Sequence, residues 1–251
     1  MDIGTAVLLA GAGLIGGIVN AIAGGATLVT FPAMLAAGLP PLIANASNAV
    51  AVTPGHLMAA LADRRQLPAF DRRLAITVIS AVAAGAVGAV LLLVTPERLF
   101  SVLVPGLIGL ATLIFALGGR IQVALARHYR PQGEITRRAL LLPSAVYGGY
   151  FGAGLGVMLL ALLTITGREE IRAANALKNL LATAVSLATV LIFAVQGVVR
   201  WPETSVMLAG ALSGGLLGSK LIAVLPPAIV RSLVIAIGAL MTGIYAWRYW
   251  W

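Results

Sequence analysis

Apolar runs as long as a transmembrane helix follow one another along most of the chain, separated by short polar breaks. Eight segments can be read in this way, at roughly 3–37, 42–62, 74–94, 99–119, 139–166, 173–195, 204–224 and 229–247. A helix needs about 20 mostly apolar residues to cross the hydrocarbon core of a bilayer. The pattern therefore predicts an all-α polytopic integral membrane protein.

The first and fifth segments are longer than one crossing requires, and both are interrupted by glycines. The first contains Gly24 and Gly25, and the fifth contains Gly148, Gly154 and Gly156. Irregular backbone survives at membrane depth only where it is buried in protein or lines a water-filled cavity. Transporters often bind substrate at such breaks near the bilayer midplane, so the pattern predicts a binding site there.

The two halves of the chain resemble each other. An offset of 130 residues superposes three small residues of each half, and Asn45-Ala46 superposes on Asn175-Ala176. The small residues are Ala81, Gly85 and Ala89 in one half and Ala211, Gly215 and Ser219 in the other. Their fourfold spacing predicts close helix packing. We expect two tandem-duplicated halves of about four segments each, 1–119 and 139–251, joined by a basic cytoplasmic linker at 120–138.

Composition and charge support a membrane location. Hydrophobic residues make up 60% of the 251 residues and charged residues only 10%, which one soluble core could not bury. The net charge of +9 comes from arginines in short loops, where positive residues orient membrane proteins, so nucleic acid is not an expected partner. The chain has no cysteine, which excludes disulfides and thiolate metal sites.

The ionisable groups inside the apolar segments are cationic. His56, Lys178 and Lys220 lie within or at the end of such segments, whereas all eight carboxylates fall in loops or at segment ends. A lysine in lipid is costly unless it is functional or reaches the interface. We expect Lys220 to reach the interface and Lys178 to bind an anion, and we leave His56 open between packing and binding. The predicted site combines backbone amides with polar side chains: Gly24, Gly25, Asn45, Ser47, Asn48, Gly154, Gly156, Asn175 and Lys178.

Enzyme motifs do not account for the chain. The run Gly11–Gly16 matches a dinucleotide fingerprint in letters, but it lies within an apolar segment without the strand–helix context or the later acidic residue. The sequence contains no zinc-protease motif, Walker lysine or serine-nucleophile elbow. We therefore expect no enzymatic activity, no cofactor and no metal.

Three motifs resemble those of the sulfite exporter TauE/SafE family. The first runs from Gly17 to Leu28 and continues through Pro32 to Gly38-Leu39-Pro40-Pro41; the others are Tyr147–Gly156 and Gly197–Pro202. The resemblance implies a multi-pass inner-membrane permease that exports small sulfur-containing anions such as sulfite or sulfonates. Asn20 stands where family members often carry an acid, which argues against proton coupling there, and Ala26 replaces a third glycine.

Topology is left with two alternatives. If all eight segments cross, the halves are parallel and 11 Lys/Arg face the cytoplasm against four outside. If the first and fifth segments are re-entrant hairpins, the halves are inverted and the count is 12 against three. Inverted halves are suited to alternating access. Both counts satisfy the positive-inside rule, so the rule does not distinguish the two topologies.

The expected partners are a small anion and membrane lipid. A coupling ion, proton or sodium, and a homo-oligomer are left open. A non-transporting membrane subunit of a larger complex is the alternative function.

Overall fold

The computed structural model describes residues 1–22, 24–127, 134–166, 171–221 and 226–251, with backbone only at 120–127, 134–135, 165–166, 171 and 219. In these ranges the chain forms α-helices and one short 3-10 helix, Arg64–Gln66. The α-helices are α1 Ile3–Ile22, α2 Thr27–Ala36, α3 Pro41–Ala62, α4 Arg72–Val94, α5 Glu97–Arg127, α6 Glu134–Tyr150, α7 Leu155–Thr166, α8 Ile171–Val195, α9 Trp201–Leu221 and α10 Pro227–Trp250.

Five stretches are long and apolar enough to cross a membrane: Ile3–Ile22, Arg72–Val94, Glu97–Gly119, Arg172–Val195 and Pro227–Trp250. The fold is therefore that of an all-helical, multi-pass membrane protein. Two expected boundaries differ from the observed ones. Segments 3–37 and 139–166 each correspond to two helices, and helices α5 and α6 extend into the predicted linker 120–138. Linker residues 128–133 and residues 222–224 of the seventh predicted segment lie outside the described residues.

Local sequence explains where several helices begin and end. Asp71 caps α4 by accepting a hydrogen bond from the Leu74 backbone nitrogen at 2.8 Å, which satisfies one of the amides left open at a helix start. Pro41 and Pro227 occupy first helical positions, where a missing N–H is harmless. The chain turns after α2 at Gly38, whose φ of +86° suits glycine.

Helices α1, α2 and α3 form two successive hairpins. A Cβ atom added at Gly16 would lie 2.5 Å from Thr30 Cγ2, so α2 runs back along α1 after the break. Thr27 and Thr30 in turn contact Asn48 of α3 across the next turn. Helix α3 therefore runs parallel to α1, and Gly55 of α3 lies against the Asn20 side chain near the end of α1.

Glycines bring pairs of helices into backbone contact. On α1, Gly13 and Gly17 lie against the backbones of Met207 and Ala211, so α1 and α9 are parallel and in close contact. On α4, Gly88 lies against the backbone of Val146 in α6. Such contacts are typical of membrane helices, because small residues let backbones approach where lipid gives no hydrophobic drive.

The direction of the helices gives the bundle two faces. Asp63, after the end of α3, contacts Asn175 near the start of α8, so α3 and α8 are antiparallel. The end of α3 and the starts of α4 and α8 thus lie at one face, which we call the basic face because Arg64, Arg65, Arg72 and Arg73 flank it. Both chain termini lie at the opposite face, where the Trp250 indole donates to the Val102 carbonyl at 2.9 Å.

Candidate functional site

A polar cavity lies in the interior between α3 and α8. Its volume is about 30 Å³ for the centres of water-sized molecules, which is room for roughly two waters. An anion of several heavy atoms therefore requires the walls to move apart. The lining consists of Thr27, Asn45, Asn48, Ala49, Val52, His56, Gly148, Gly149, Phe151, Gly152, Leu155, Ser186, Thr189 and Phe193.

Asn45 joins α3 to the break that follows α6. Its Nδ2 donates a hydrogen bond of 2.9 Å to the Tyr150 carbonyl oxygen, one of the acceptors left open at the end of a helix. Asn45 is 2% exposed, and its Oδ1 has no hydrogen-bond partner in the described part of the chain. The Tyr150 carbonyl oxygen can accept a hydrogen bond only from the Nδ2 group of the Asn45 side chain, not from Oδ1. The contact therefore fixes the orientation of the side-chain amide and leaves Oδ1 unpaired.

Asn48 joins α3 to α2. Thr30 Oγ1 lies 2.5 Å from Asn48 Oδ1 and donates to it, and Asn48 Nδ2 lies 3.5 Å from Thr27 Oγ1. All three side chains are buried. Buried amides and hydroxyls that satisfy one another fix the position of a helix start, and here they hold the short helix α2 against the wall of the cavity.

The other polar groups that line the cavity make fewer hydrogen bonds to the rest of the described protein. Within the described ranges, no hydrogen bond is made by the His56 imidazole or by the Ser186 hydroxyl, although both residues line the space. Thr189 donates its hydroxyl proton to the Val185 carbonyl at 2.9 Å, so it offers the cavity only lone pairs. The cavity therefore presents both donors and acceptors to whatever occupies it.

A second polar cluster, which we call the inner network, lies closer to the basic face. It consists of Asp63, Asn175, Lys178 and Asn179. Asp63 Oδ2 accepts from Asn175 Nδ2 at 2.9 Å and from Asn179 Nδ2 at 2.7 Å, and Lys178 Nζ donates to Asn175 Oδ1 at 2.7 Å. From the sequence alone, with every carboxylate in a loop or at a segment end, Lys178 is expected to have no acidic partner; the structure corrects this, because Asp63, 115 positions away in sequence, bonds to the same Asn175 side chain as Lys178.

The predicted site residues divide between several places. Asn45 and Asn48 line the cavity, whereas Asn175 and Lys178 belong to the inner network. Ser47 is fully buried and accepts from the Arg200 backbone nitrogen at 3.0 Å, so it links α3 to the start of α9.

The glycines of the predicted site lie at the two helix breaks, between α1 and α2 and around the start of α7. Gly25 has a φ of +89° and packs against the Phe115 ring, and Gly154 has a φ of +80° and lies near Ile114. Gly156 lies near the Lys178 side chain, and a Cβ atom added at Gly24 would meet no atom within 4 Å. None of these four glycines contributes to the cavity lining.

Sequence reasoning passed over Arg231, although it lies inside the last apolar segment. Its Nη2 donates to the Phe115 carbonyl at 2.6 Å, and its guanidinium lies 5.7 Å from the centre of the Phe115 ring. Because Gly25 packs on the same ring, Arg231 helps to hold the Phe115 ring against the first break.

The sequence did contain a signal for the cavity. Asn45, Val52 and His56 are seven and then four residues apart, which places them on one face of a helix.

The fold is that of a multi-pass helical membrane protein, and comparison with known proteins relates it to transporters. The profile of the family described as sulfite exporter TauE/SafE matches residues 9–245. The chain belongs to this family. No solved structure matches it.

Curated relatives are named as transporters. A probable membrane transporter protein of Haemophilus influenzae is 30% identical over 257 residues, which cover 100% of this chain and 99% of the relative. The probable membrane transporter protein YfcA of Escherichia coli is 27% identical over 91% of this chain and 85% of its own length. The protein is thus a membrane transporter of the TauE/SafE type, with a small-molecule substrate and a lipid environment, and the matches indicate no catalytic family.

Proposed function

We propose that this chain exports a small anion, a sulfur oxyanion or organosulfonate such as sulfite or sulfoacetate, across the cell inner membrane by alternating access. The observation that carries the proposal is the cavity between α3 and α8, which is lined in part by polar side chains and bordered by the break after α6. The description of the matched family as a sulfite exporter supports the choice of substrate.

The binding site combines the cavity with the inner network. Ser186 and His56 offer donors at the cavity wall, and Lys178 lies about two turns before Ser186 on α8, toward the basic face. Hydrogen bonds that involve an ionised group are shorter and stronger than neutral ones. An anion that moves between α3 and α8 therefore meets neutral donors in the cavity and, toward the basic face, the Lys178 ammonium group, with the Asp63 carboxylate close to it.

The halves are proposed to be duplicated and inverted. In each half a long helix is followed by a short one, α1 by α2 and α6 by α7, and then by three long helices. The pairs α1–α9 and α6–α4 each join the two halves through glycine contacts, as expected if α6 corresponds to α1 and α9 to α4. Five helices per half reverse the direction of the second half, which is the arrangement that lets a fixed site open to either side.

Inversion predicts the side on which each loop lies. With the basic face in the cytoplasm, Gln196 lies outside and Gln66 inside, whereas eight crossings and parallel halves put both inside. Both residues are exposed, and the chain has no native cysteine. We expect Gln196→Cys to react with a membrane-impermeant thiol reagent in intact cells.

Gln66→Cys is the matched control, because it should react only after the cells are opened. Labelling of both positions only in opened cells would contradict the inverted arrangement and support parallel halves.

Transport by the chain alone is the direct test of function. Purified protein in proteoliposomes should accelerate the movement of labelled sulfite or sulfoacetate well above the leak of protein-free vesicles. An inert chain that becomes active only with another subunit would support the alternative, a non-transporting membrane subunit of a larger complex.

A further inference from the structure

The inner network already holds an anionic group, the carboxylate of Asp63. Its Oδ2 accepts hydrogen bonds from Asn175 Nδ2 at 2.9 Å and from Asn179 Nδ2 at 2.7 Å. Lys178 Nζ donates to Asn175 Oδ1 at 2.7 Å and so turns the nitrogen of that amide toward Asp63. Residues three and four apart share one face of a helix. Asn175, Lys178 and Asn179 therefore form a single group of donors, which we call the α8 donor patch.

The α8 donor patch suits a small oxyanion for the same reason that it suits Asp63. Carboxylate, sulfite and sulfonate groups all accept hydrogen bonds through negatively charged oxygens, and such bonds are stronger than neutral ones. Asn179 is only 7% exposed, and a buried amide N–H group needs an acceptor. An anion that leaves the patch must therefore be replaced by another one.

We propose that the α8 donor patch is the first binding site of the transported anion on its way from the cytoplasm, and that Asp63 is an internal competitor which this anion displaces. The inference rests on the proposed function and locates the step at which the anion enters. Asp63 also joins α3 to α8. Its displacement would release the two helices from each other at the basic face, and the narrow cavity requires such a movement.

The position of Asp63 permits the exchange. The residue follows the end of α3 and precedes the 3-10 helix Arg64–Gln66, and its side chain caps neither of them. The carboxylate can therefore turn away without breaking a helix. Arg64 and Arg65, which come directly after it, are exposed at the basic face and offer it a new partner there.

The α8 donor patch also leads to the cavity. Ser186, which lines the cavity, lies seven residues beyond Asn179, about two turns further along the same face of α8. An anion that is released from the patch can thus move on to the cavity wall along one helix.

Binding of sulfoacetate to the purified protein tests the competition. In Asp63→Asn the competitor loses its charge. We expect isothermal titration to show about tenfold tighter binding than in the wild type, because apparent affinity rises with the fraction of protein whose site is free. Equal affinities of Asp63→Asn and the wild type would overturn the inference.

Asp71→Asn is the matched control variant. It removes the same charge from an exposed residue near the basic face, and asparagine is as good a cap for α4 as the aspartate it replaces. Its affinity should stay close to that of the wild type. An equal gain in Asp71→Asn would show that only the net charge matters, and would overturn the inference.

Asn179→Leu distinguishes a displaced competitor from a local gain of positive charge. Added to Asp63→Asn, it should abolish the gain in affinity, because the anion then loses one of its donors. A gain that persists in the double variant would mean that the anion does not bind at the α8 donor patch, and the inference would be wrong.

A cysteine in the cavity provides a second measurement, which decides even if Asn179→Leu fails to fold. Ser186→Cys places the only thiol of the chain at the cavity wall. In inside-out vesicles, we expect it to react several-fold faster with a membrane-impermeant thiol reagent when Asp63→Asn is also present. Equal rates would show that Asp63 does not close the path, and would overturn the inference.

Failure of the proposed function would look different. If neither sulfoacetate nor sulfite binds to any variant, the substrate assignment is wrong, whereas the cysteine rates still decide whether Asp63 closes the path. If all variants bind sulfoacetate equally, the proposed function stands and the competition by Asp63 is wrong.

Discussion

Replacing Lys178 by alanine is expected to lower anion transport by about 10- to 100-fold, while Lys178→Arg retains most of it. A hydrogen bond to a charged group contributes roughly 1.5–3 kcal/mol, and each 1.4 kcal/mol is about tenfold in affinity. Lys178 is half-buried, on the α8 face that continues into the cavity wall. The measurement is initial uptake of labelled sulfite into proteoliposomes at equal amounts of folded protein.

Lys220→Ala is the matched control for this prediction. It removes the same charge from an exposed position near the end of α9, so transport should change little. Unchanged transport in Lys178→Ala would contradict the assignment of Lys178 to the anion pathway.

A structural role for Lys178 predicts a different result, and Asp63 distinguishes the two. Removing the lysine takes one cation away from the Asp63 carboxylate, and this loss by itself can destabilise the contact between α3 and α8. In the double variant Asp63→Asn, Lys178→Ala this carboxylate is gone. Recovery of both folding and transport would make Lys178 structural, whereas recovery of folding without transport would support its role toward the anion.

Much of the fold follows from the sequence because lipid imposes a simple rule. Apolar runs of sufficient length must become helices, since every backbone group has to find its partner inside the segment. The breaks in the first and fifth segments could be located from Gly25 and Gly154, whose positive φ values are costly for other residues. The sequence could not show that α2 runs back along α1, because a broken helix and a helical hairpin have the same pattern of apolar residues.

The candidate site was less accessible to sequence reasoning, because it depends on which helix faces which. Asn45, Asn48 and His56 share one face of α3, and this could be counted along the chain. The approach of Asp63 to Asn175 depends on the antiparallel pairing of α3 with α8, and no local pattern records it. The same limit explains Arg231, whose partners are carbonyl groups of α5 rather than an acid.

Loss of stability is expected when Gly88 is replaced by alanine. A Cβ atom at this position would collide with the Val146 carbonyl oxygen and would lie 2.8 Å from the Tyr150 nitrogen. Both are backbone atoms, so the collision can be relieved only if α4 and α6 move apart. Overpacking of this kind typically costs about 1–3 kcal/mol, and here the contact is one that small residues make possible.

Gly106→Ala is the matched control, because Gly106 lies inside another apolar helix and a Cβ there would meet no atom within 4 Å. Alanine should be neutral or should stabilise by up to about 1 kcal/mol, since it forms helix better than glycine. Thermal unfolding of the purified proteins in one detergent, followed by circular dichroism, compares the two. If Gly88→Ala unfolds at the same temperature as Gly106→Ala, close backbone contact between α4 and α6 is not what holds this part of the bundle together.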